Sequence, residues 1–352
     1  MTLNASGAIT ISGATAATSI SIEIYNTSGI TLDLNAASVR ALAGIASGAI
    51  SMSNLYGTTY NTQRGIFGYG LNGSSVAVSI TNLVASTGVV ATDTTGVGTA
   101  RYDIAACSYG MDKGIFGYGE TVASRTTTLY SITNLVSNTG VVSGDTTGVG
   151  TARYGLAACT YGRDKGIFGY GTTGTLTAVT NLVSNTGVVS TDTAGVGTAR
   201  QQPAACGYGL DKGIFGYGIV SGTPQSITNL VSNTGVVAAN TTGVGTARFQ
   251  LAACSYGVGK GIFGYGNNNS ANVSLTNLIS NTGVVATDTT GVGTIRAGLA
   301  ACGYGNSKGV FGYGSGASSI TNRVSDTGVV ATDTAGVGTG RSSLAACGYS
   351  NS

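Results

Sequence analysis

Apolar residues recur along most of the chain in four short clusters, each bounded by glycine, asparagine, serine or threonine. The first cluster reads LAACSYG, the second KGIFGYG, the third SITNLVSN and the fourth GVVATD. Each cluster is short and rich in β-branched or aromatic residues, which favours a strand over a helix. The pattern therefore predicts four short strands that follow one another through tight turns.

The four clusters form a unit of about 48 residues that occurs six times beyond residue 60. An arginine, a cysteine after two alanines and a Thr-Asn pair mark each unit. The arginines are Arg101, Arg153, Arg200, Arg248, Arg296 and Arg341; the cysteines are Cys107, Cys159, Cys206, Cys254, Cys302 and Cys347; the asparagines are Asn82, Asn134, Asn181, Asn229, Asn277 and Asn322. Four strands per repeat at this period are typical of a β-propeller blade, because a single blade cannot bury both of its faces.

The two ends of the repeat region are complementary. At the start, Arg64 opens RGIFGYG with no alanine-rich strand before it, and at the end SSLAACGYSNS supplies such a strand with no glycine-rich strand after it. Pairing of these two segments would complete a sixth sheet. The sequence thus predicts an all-β fold, with a six-bladed β-propeller over residues 58–352 that is closed by its C-terminal strand. In this interpretation the repeated GIFGYG is scaffold.

The composition agrees with an all-β fold and argues against a nucleic-acid-binding protein and a membrane-spanning protein. Of the 352 residues, 59 are glycine, 2 are proline and 42% are apolar, as expected of strands joined by tight turns. A net charge of +3 without a Lys/Arg cluster argues against binding to nucleic acid. No apolar run approaches the roughly 20 residues of a membrane span. The N-terminus lacks a signal-peptide pattern, so we expect synthesis in a cytoplasm.

The chain contains no histidine. Histidine is the commonest general base and the commonest metal ligand, so its absence argues against an enzyme and against a bound metal or cofactor. Carboxylate chemistry remains open, and Asp103 and Glu120 are the candidate pair for it.

Two further recurring residues are assigned structural roles. Five units carry an aspartate eight residues before the arginine, and the sixth carries Asn240. We expect an Asp–Arg ion pair or an Asx turn there, whereas a calcium site would need more ligands than one carboxylate. These residues are Asp93, Asp145, Asp192, Asp288 and Asp333.

The cysteines occur once per unit and form no Cys-x-x-Cys pair. They are interpreted as small buried apolar residues.

Variation between units concentrates in the insert between FGYG and the Thr-Asn pair, and in the two residues after each arginine. In a four-stranded meander both places lie on one face, so we interpret that face as a ligand-binding surface; neutral drift of exposed loops is the alternative. The candidate ligand-binding residues are Tyr102, Asp103, Glu120, Arg125, Tyr154, Gln201, Gln202, Phe249, Gln250 and Asn268. A smaller variable patch, including Met111 and Leu210, is expected on the opposite face.

Residues 1–57 do not share the repeat and are predicted to form a small β-rich attachment module. Ile20, Ile22 and Ile24 alternate as in a strand, and LNAASVRALAG predicts a short helix with Asn35 as its N-cap and Gly44 beyond its end. A segment of this length buries little core of its own, so it is expected to dock on another surface.

The repeat resembles a kelch repeat, in which an arginine, a small apolar strand and an aromatic strand ending in glycines precede two outer strands. It departs from kelch in having FGYG in place of the usual glycine pair and in lacking an outer-strand tryptophan. Propellers of the chromosome-condensation-regulator type are the alternative. The N-terminal segment also has a resemblance, carried by LNAASVRALAG followed by SGAISMSNLYG: it resembles a module at the start of tailed-bacteriophage virion proteins. The repeats are similar to those of phage propellers, as seen in TNLVSNTGVVATDTTGVGTAR.

These resemblances imply a non-enzymatic structural protein of the phage virion, made in the host cytoplasm. Residues 1–57 would contact other virion proteins. The propeller, of tail-fibre type and present as a homo-oligomer or in many copies, would bind a glycan or protein of the host cell surface. A capsid decoration or a tail or baseplate brace without a receptor role is the alternative, and a glycan hydrolase using Asp103 and Glu120 is a third hypothesis.

Overall fold

The computed structural model describes residues 62–123 and 126–350, together with one short strand pair near the N-terminus. Internal contacts divide the chain into two compact units, Met1–Asn61 and Thr62–Ser352. In the first unit, Thr2–Leu3 pairs antiparallel with Ile9–Thr10. The strand predicted around Ile22 and the helix predicted at residues 35–44 lie outside the described residues.

The second unit contains six three-stranded antiparallel sheets, each with its second strand in the middle. The first strands are Ala105–Tyr109, Ala157–Tyr161, Ala204–Tyr208, Ala252–Tyr256, Ala300–Tyr304 and Ala345–Ser350. The second strands are Gln63–Gly68, Lys113–Gly117, Lys165–Gly169, Lys212–Gly216, Lys260–Gly264 and Lys308–Gly314. The third strands are Thr81–Val84, Thr133–Val136, Thr180–Val183, Thr228–Val231, Thr276–Ile279 and Ser318–Val324. Sheets 1 to 6 are numbered in the order of their second strands.

The predicted all-β class is confirmed for the described residues. They contain no helix, and so none that is long and apolar enough to cross a membrane. The second strands are buried on both faces because they lie between two other strands and between neighbouring sheets. Ile115, for example, lies opposite Cys107 and Leu135 in its own sheet and is fully buried.

Sheet 1 combines the two ends of the second unit. Ala345–Ser350 pairs antiparallel with Gln63–Gly68, which places Cys347 opposite Ile66. The predicted pairing of the C-terminal strand with the first glycine-rich strand is therefore confirmed. Arg341–Ser342 adds a second link by pairing with Leu71–Asn72.

Two inserts between second and third strands form small hairpins of their own. Glu120–Ala123 pairs with Thr126–Leu129, and Ile219–Val220 pairs with Thr223–Pro224. The inserts thus extend beyond the edge of the three-stranded sheets.

The prediction of a fourth strand is wrong in part, because the GVVATD-type segments form only isolated bridges with the third strands. In sheet 2, Val136 pairs with Val142 and Thr133 with Thr146, so the outer segment has one residue more than the strand it faces. An extra residue of this kind makes a bulge that interrupts the ladder. The side-chain amide of Asn134 fills the interruption by donating to the carbonyl oxygen of Ser143 at 3.1 Å.

Each sheet packs on the next through a repeated aromatic contact. The tyrosine of FGYG in one sheet meets the phenylalanine of the following sheet with ring centroids 5.0–5.2 Å apart. The pairs are Tyr69–Phe116, Tyr118–Phe168, Tyr170–Phe215, Tyr217–Phe263, Tyr265–Phe311 and Tyr313–Phe67. The last pair joins sheet 6 to sheet 1, so the series of contacts returns to its start.

The first glycine of KGIFG leaves room for a cysteine of the preceding sheet. A Cβ built on Gly213 would lie 2.5 Å from Sγ of Cys159, and the five equivalent glycines face a cysteine in the same way. The six cysteines are buried free thiols, and burial raises the pKa of Cys107 to about 12. Their predicted role as small buried residues is confirmed. At these glycines a side chain, and not a second backbone, makes the close approach.

Candidate binding face

The two variable residues after each arginine lie beside the variable inserts, on what is named here the insert face. The first residue of the pair contacts the start of an insert through backbone pairing. The contacts are Tyr102–Glu120, Tyr154–Thr172, Gln201–Ile219, Phe249–Asn267, Ser342–Leu71 and Ala297–Ser315. The two kinds of sequence variation therefore meet at one edge of the sheets.

The second residue of each pair belongs to a closed circle of six backbone hydrogen bonds, named here the mouth. Each amide N–H donates to the carbonyl oxygen of the equivalent residue in the preceding unit, over 2.6–3.3 Å. In order around the circle the residues are Asp103, Gly155, Gln202, Gln250, Gly298 and Ser343. All six have φ between 49° and 63°, a left-handed conformation that costs about 1–2 kcal/mol for a residue other than glycine. The circle of hydrogen bonds offsets that cost and holds the rim in one geometry.

Inside the mouth lies a cavity of about 80 Å³. Its rim is polar, and its wall consists of the apolar residues that follow the rim residues: Ile104, Leu156, Pro203, Leu251, Leu299 and Leu344. Apolar surroundings lower the local dielectric, which strengthens electrostatic interactions at the rim. A separate cavity of about 100 Å³ is lined by the six cysteines and their neighbours on the first strands.

Asp103 and Glu120 bring two carboxylates to one side of the mouth. Burial raises the pKa of Glu120 to about 7, with the charge of Asp103 adding to the rise and a hydrogen bond from Tyr102 opposing it. Burial likewise raises the pKa of Asp103 to about 6, against a hydrogen bond from Ser343. Burial and the two carboxylates raise the pKa of Tyr102 to about 12 and also raise that of Tyr154. This part of the insert face is therefore acidic and aromatic.

Glu120→Gln is expected to raise the free energy of unfolding at pH 8 by about 1–2 kcal/mol and to leave it unchanged at pH 4. The pKa of Glu120 in the folded protein, about 7, lies above its ordinary value of 4.5. The native state therefore keeps a proton that the unfolded chain releases, and stability falls as pH rises from about 4.5 to 7. Urea unfolding at the two pH values measures the difference. An equal effect of the substitution at pH 8 and pH 4 would contradict the raised pKa of Glu120.

The predicted ligand-binding residues occupy different positions on the insert face. Asp103, Gln202 and Gln250 lie on the rim of the mouth, whereas Tyr102, Tyr154, Gln201, Phe249 and Glu120 take part in the backbone pairing with the inserts. Asn268 stabilises the turn in which it lies, since its Oδ1 accepts hydrogen bonds from the backbone N–H groups of Ser270 and Ala271 at 3.0 and 2.9 Å. Arg125 lies outside the described residues.

Three members of the mouth were missed as site residues by sequence reasoning: Gly155, Gly298 and Ser343. They hold the second position after an arginine, as Asp103 does, so alignment of the repeats contained a signal for them. The signal was not specific, because glycine and serine carry no charge or ring that suggests binding.

A buried arginine supports the insert face in every unit. Arg101 donates to the carbonyl oxygens of Tyr118 and Thr99 at 2.7 and 2.9 Å and to Oδ1 of Asn134 at 2.7 Å. Its guanidinium carbon lies 4.7 Å from the ring centroid of Tyr69, in the preceding sheet. The planar fork of arginine suits three acceptors at fixed angles together with a stacked ring. Each arginine therefore joins the start of its unit to the neighbouring sheet.

The repeated aspartate lies beside this arginine. Asp145 accepts hydrogen bonds from the N–H and hydroxyl of Thr99 and from Asn134, and its Oδ1 is 3.9 Å from Nη1 of Arg101. Burial pushes the pKa of Asp145 upward, but these donors and the charge of Arg101 hold it below its ordinary value. An Asp–Arg contact is present in four units, at 3.5–3.9 Å, as predicted in kind. Its partner differs from the expected one: each aspartate contacts the arginine that begins its own unit, as Asp145 contacts Arg101, and not the arginine eight residues after it that begins the next sheet. No three metal-ligating side chains cluster within the part of the chain that the structure describes.

The unit of Arg200 differs from the others. Asn240 replaces the aspartate, and its amide donates to Oγ1 of Thr198 at 2.7 Å. Nη2 of Arg200 and Oδ1 of Asn229 are buried without a hydrogen-bond partner. Among the described ion pairs Arg200 has none, so it is a buried cation without an adjacent carboxylate.

Asn240→Asp is expected to stabilise the fold by about 0.5–1 kcal/mol at pH 7, because it places a partly exposed carboxylate beside Arg200. The new aspartate would have a lowered pKa, as Asp288 has. Its contribution is then present above the unfolded pKa of about 4 and is lost as pH falls through the folded pKa. Thermal unfolding at pH 7 and pH 3 checks both points. The matched control is Asp288→Asn, which is expected to destabilise at pH 7; destabilisation by Asn240→Asp would refute the ion-pair argument.

Comparison with models of known protein families finds no match to this chain, and a search of curated proteins likewise finds no significant match.

Proposed function

We propose that the six sheets are the blades of a kelch-like β-propeller that is closed by the C-terminal strand. Two closed series of contacts support this architecture. The aromatic pairs run from sheet to sheet and return from Tyr313 to Phe67, and the hydrogen bonds of the mouth return from Ser343 to Asp103. In a propeller, each blade contacts its two neighbours around a central axis, which gives closed series of contacts of this kind.

We propose that this propeller is a non-enzymatic structural protein of a phage virion, of tail-fibre type, and that its insert face binds a glycan or protein of the host surface. The observation that carries the proposal is the contrast between an unvarying frame and a varied face. The buried arginines, tyrosines and glycines repeat in all six units, whereas the residues that pair at the insert face differ from unit to unit. Variable loops on a rigid scaffold are the usual arrangement of a binding surface.

The two ends of the described part of the second unit lie away from the insert face, which supports a binding role for that face. The turns between first and second strands are linked by hydrogen bonds at the end of the sheets opposite the insert face. Gly305 N donates to Gln63 O there at 2.8 Å, and Ser350 N donates to Asp112 O at 3.0 Å. Both ends of the described unit therefore leave from the face opposite the inserts.

The size of the mouth supports a binding role over a catalytic one. Sites that enclose a small-molecule substrate have volumes of roughly 300–1,000 Å³, whereas this cavity has about 80 Å³. Asp103 and Glu120 are adjacent, as a glycan hydrolase would need, but the cavity beside them is too small to enclose a sugar ring.

A structural brace in the capsid, tail or baseplate is the second candidate, and a specific observation favours it. Three apolar side chains on the turns opposite the insert face are largely exposed: Met111 at 72%, Leu210 at 61% and Val258 at 75%. Leu210 and Val258 lie on the turns of adjacent sheets, 4 and 5, whereas Met111 lies on the turn of sheet 2. Exposed apolar side chains on one end of the sheets suit contact with another protein.

The test is binding of the full chain to a panel of bacterial cells and purified surface glycans. Tyr102→Ala, Tyr154→Ala and Phe249→Ala are combined in one variant. Receptor binding predicts saturable binding that this variant reduces at least tenfold. The matched control combines Met111→Ala, Leu210→Ala and Val258→Ala, which removes three apolar side chains from the opposite turns and should leave binding unchanged. Loss of particle assembly in the control variant, with no cell binding by the unaltered chain, would favour the brace.

A further inference from the structure

The mouth differs from the rest of the insert face because it combines a cavity with polar groups that the protein itself leaves free. The circle of backbone hydrogen bonds fixes the rim residues, whereas the side-chain amides of Gln202 and Gln250 make no hydrogen bond with any described residue. Both side chains are partly exposed and line the same cavity as Asp103. The backbone of the rim is thus fixed, while the side-chain amides of Gln202 and Gln250 keep their donors and acceptors available for a ligand. Such a preorganised site binds with a smaller loss of conformational entropy.

The charge at the rim has one sign. Asp103 is the only charged side chain among the residues that line the cavity, and Glu120 lies close enough for the two carboxylates to affect each other. Neither carboxylate takes part in an ion pair with any described lysine or arginine. A carboxylate that is largely surrounded by protein, without a cation of its own, favours a ligand that brings the positive charge.

We propose, building on the proposed function, that the mouth binds one primary ammonium group carried on a sugar, so that the recognised surface contains an unacetylated amino sugar. The ammonium has three N–H donors, and the rim offers the carboxylate of Asp103 and the amide oxygens of Gln202 and Gln250 as acceptors. The cavity, at about 80 Å³, has room for a small terminal group. The sugar ring itself would remain outside the cavity, beside Tyr102 and Tyr154.

The six units do not share this site. Asp103 occurs at one of six equivalent positions, and the others carry glycine, glutamine or serine. Because all six positions converge on one cavity, the chain offers one ammonium site and not six. A stoichiometry of one ligand per chain therefore follows from the geometry.

The experiment is calorimetric titration of the full chain with three matched β-linked tetrasaccharides, of glucosamine, glucose and N-acetylglucosamine, at neutral pH. The expected result is one glucosamine tetramer per chain, bound at least tenfold more tightly than the two neutral tetramers. Asp103→Asn should abolish this preference. Asp326→Asn is the matched control, because it removes the same charge from an exposed turn away from the mouth and should leave the preference intact.

Several results would overturn the inference. These are equal binding of charged and neutral tetramers, no binding of the glucosamine tetramer, or a preference that survives Asp103→Asn in a folded protein. A lysine-rich peptide that binds at the mouth while the amino sugar does not would assign the site to a protein ligand instead. Cell binding that is lost in the variant lacking Tyr102, Tyr154 and Phe249 but is unaffected by Asp103→Asn would refute the ammonium site and leave the proposed function standing.

Discussion

Gly171→Ala is expected to destabilise the protein by about 2–6 kcal/mol, a large effect for the addition of one methyl group. Gly171 has φ of 103°, and a Cβ at this position would lie 2.6 Å from the backbone carbonyl oxygen of Tyr154. The strained conformation alone costs about 1–3 kcal/mol for alanine. Relieving the overlap requires movement of the backbone that pairs Tyr154 with the insert, which adds about 1–3 kcal/mol. Chemical denaturation of the purified variant measures the total.

Two other glycines of the same chain separate these contributions. Gly174 has φ of 100° but no atom within 4 Å of a built Cβ, so Gly174→Ala reports the conformational cost alone. Gly144 has neither a left-handed φ nor a neighbour within 4 Å, so Gly144→Ala should be nearly neutral. The expected order of destabilisation is Gly171, then Gly174, then Gly144. If the variants at Gly171 and Gly174 proved equally stable, the close approach at the insert face would not be present in solution.

Arg101→Met is expected to cost about 3–5 kcal/mol, because it removes a buried charge and leaves its partners buried. The carbonyl oxygens of Tyr118 and Thr99 and Oδ1 of Asn134 would lose their donors, and Asp145 would lose a neighbouring cation. Methionine keeps much of the side-chain volume, so the loss reports mainly on polar contacts. Arg101→Lys is expected to recover only part of it, since an ammonium cannot reproduce the geometry of the fork.

The matched control for this change is Arg163→Met, which alters the same chemistry at an exposed turn position. Surface substitutions of this kind usually change stability by no more than about 0.5 kcal/mol. Similar losses for Arg101→Met and Arg163→Met would show that burial of the repeated arginine does not decide its contribution. A loss confined to Arg101 would support the view that six arginines hold the frame on which the insert face is built.

The strand pattern was predictable from the sequence because it depends on local chemistry. The glycine-bounded apolar residues of KGIFG identified the second strands, and the alanine-rich segment before each cysteine identified the first strands. The unmatched segments at Arg64 and Cys347 identified the pairing that completes sheet 1. The prediction of a continuous fourth strand was wrong because the outer segment has one residue more than the third strand it faces. Such a mismatch depends on the pairing of the two segments and cannot be read from one of them. The sequence GVVATD is compatible with a continuous ladder, and only the side chain of Asn134 and its equivalents shows where the ladder is interrupted.

The candidate site was predictable as a face but not as a mouth. The proximity of Tyr102 to Glu120 followed from the order of strands, whereas the circle through Asp103 and Ser343 depends on left-handed backbone conformations. Glycine signals such a conformation, but aspartate, glutamine and serine at the equivalent positions do not. Sequence by itself thus determined the all-β class, the six units, the buried cysteines and the face on which the units differ, because each of these follows from local pattern and repetition. Only the tertiary structure decided that six residues from six units meet around one small cavity, because that convergence requires hydrogen bonds between residues far apart in the chain.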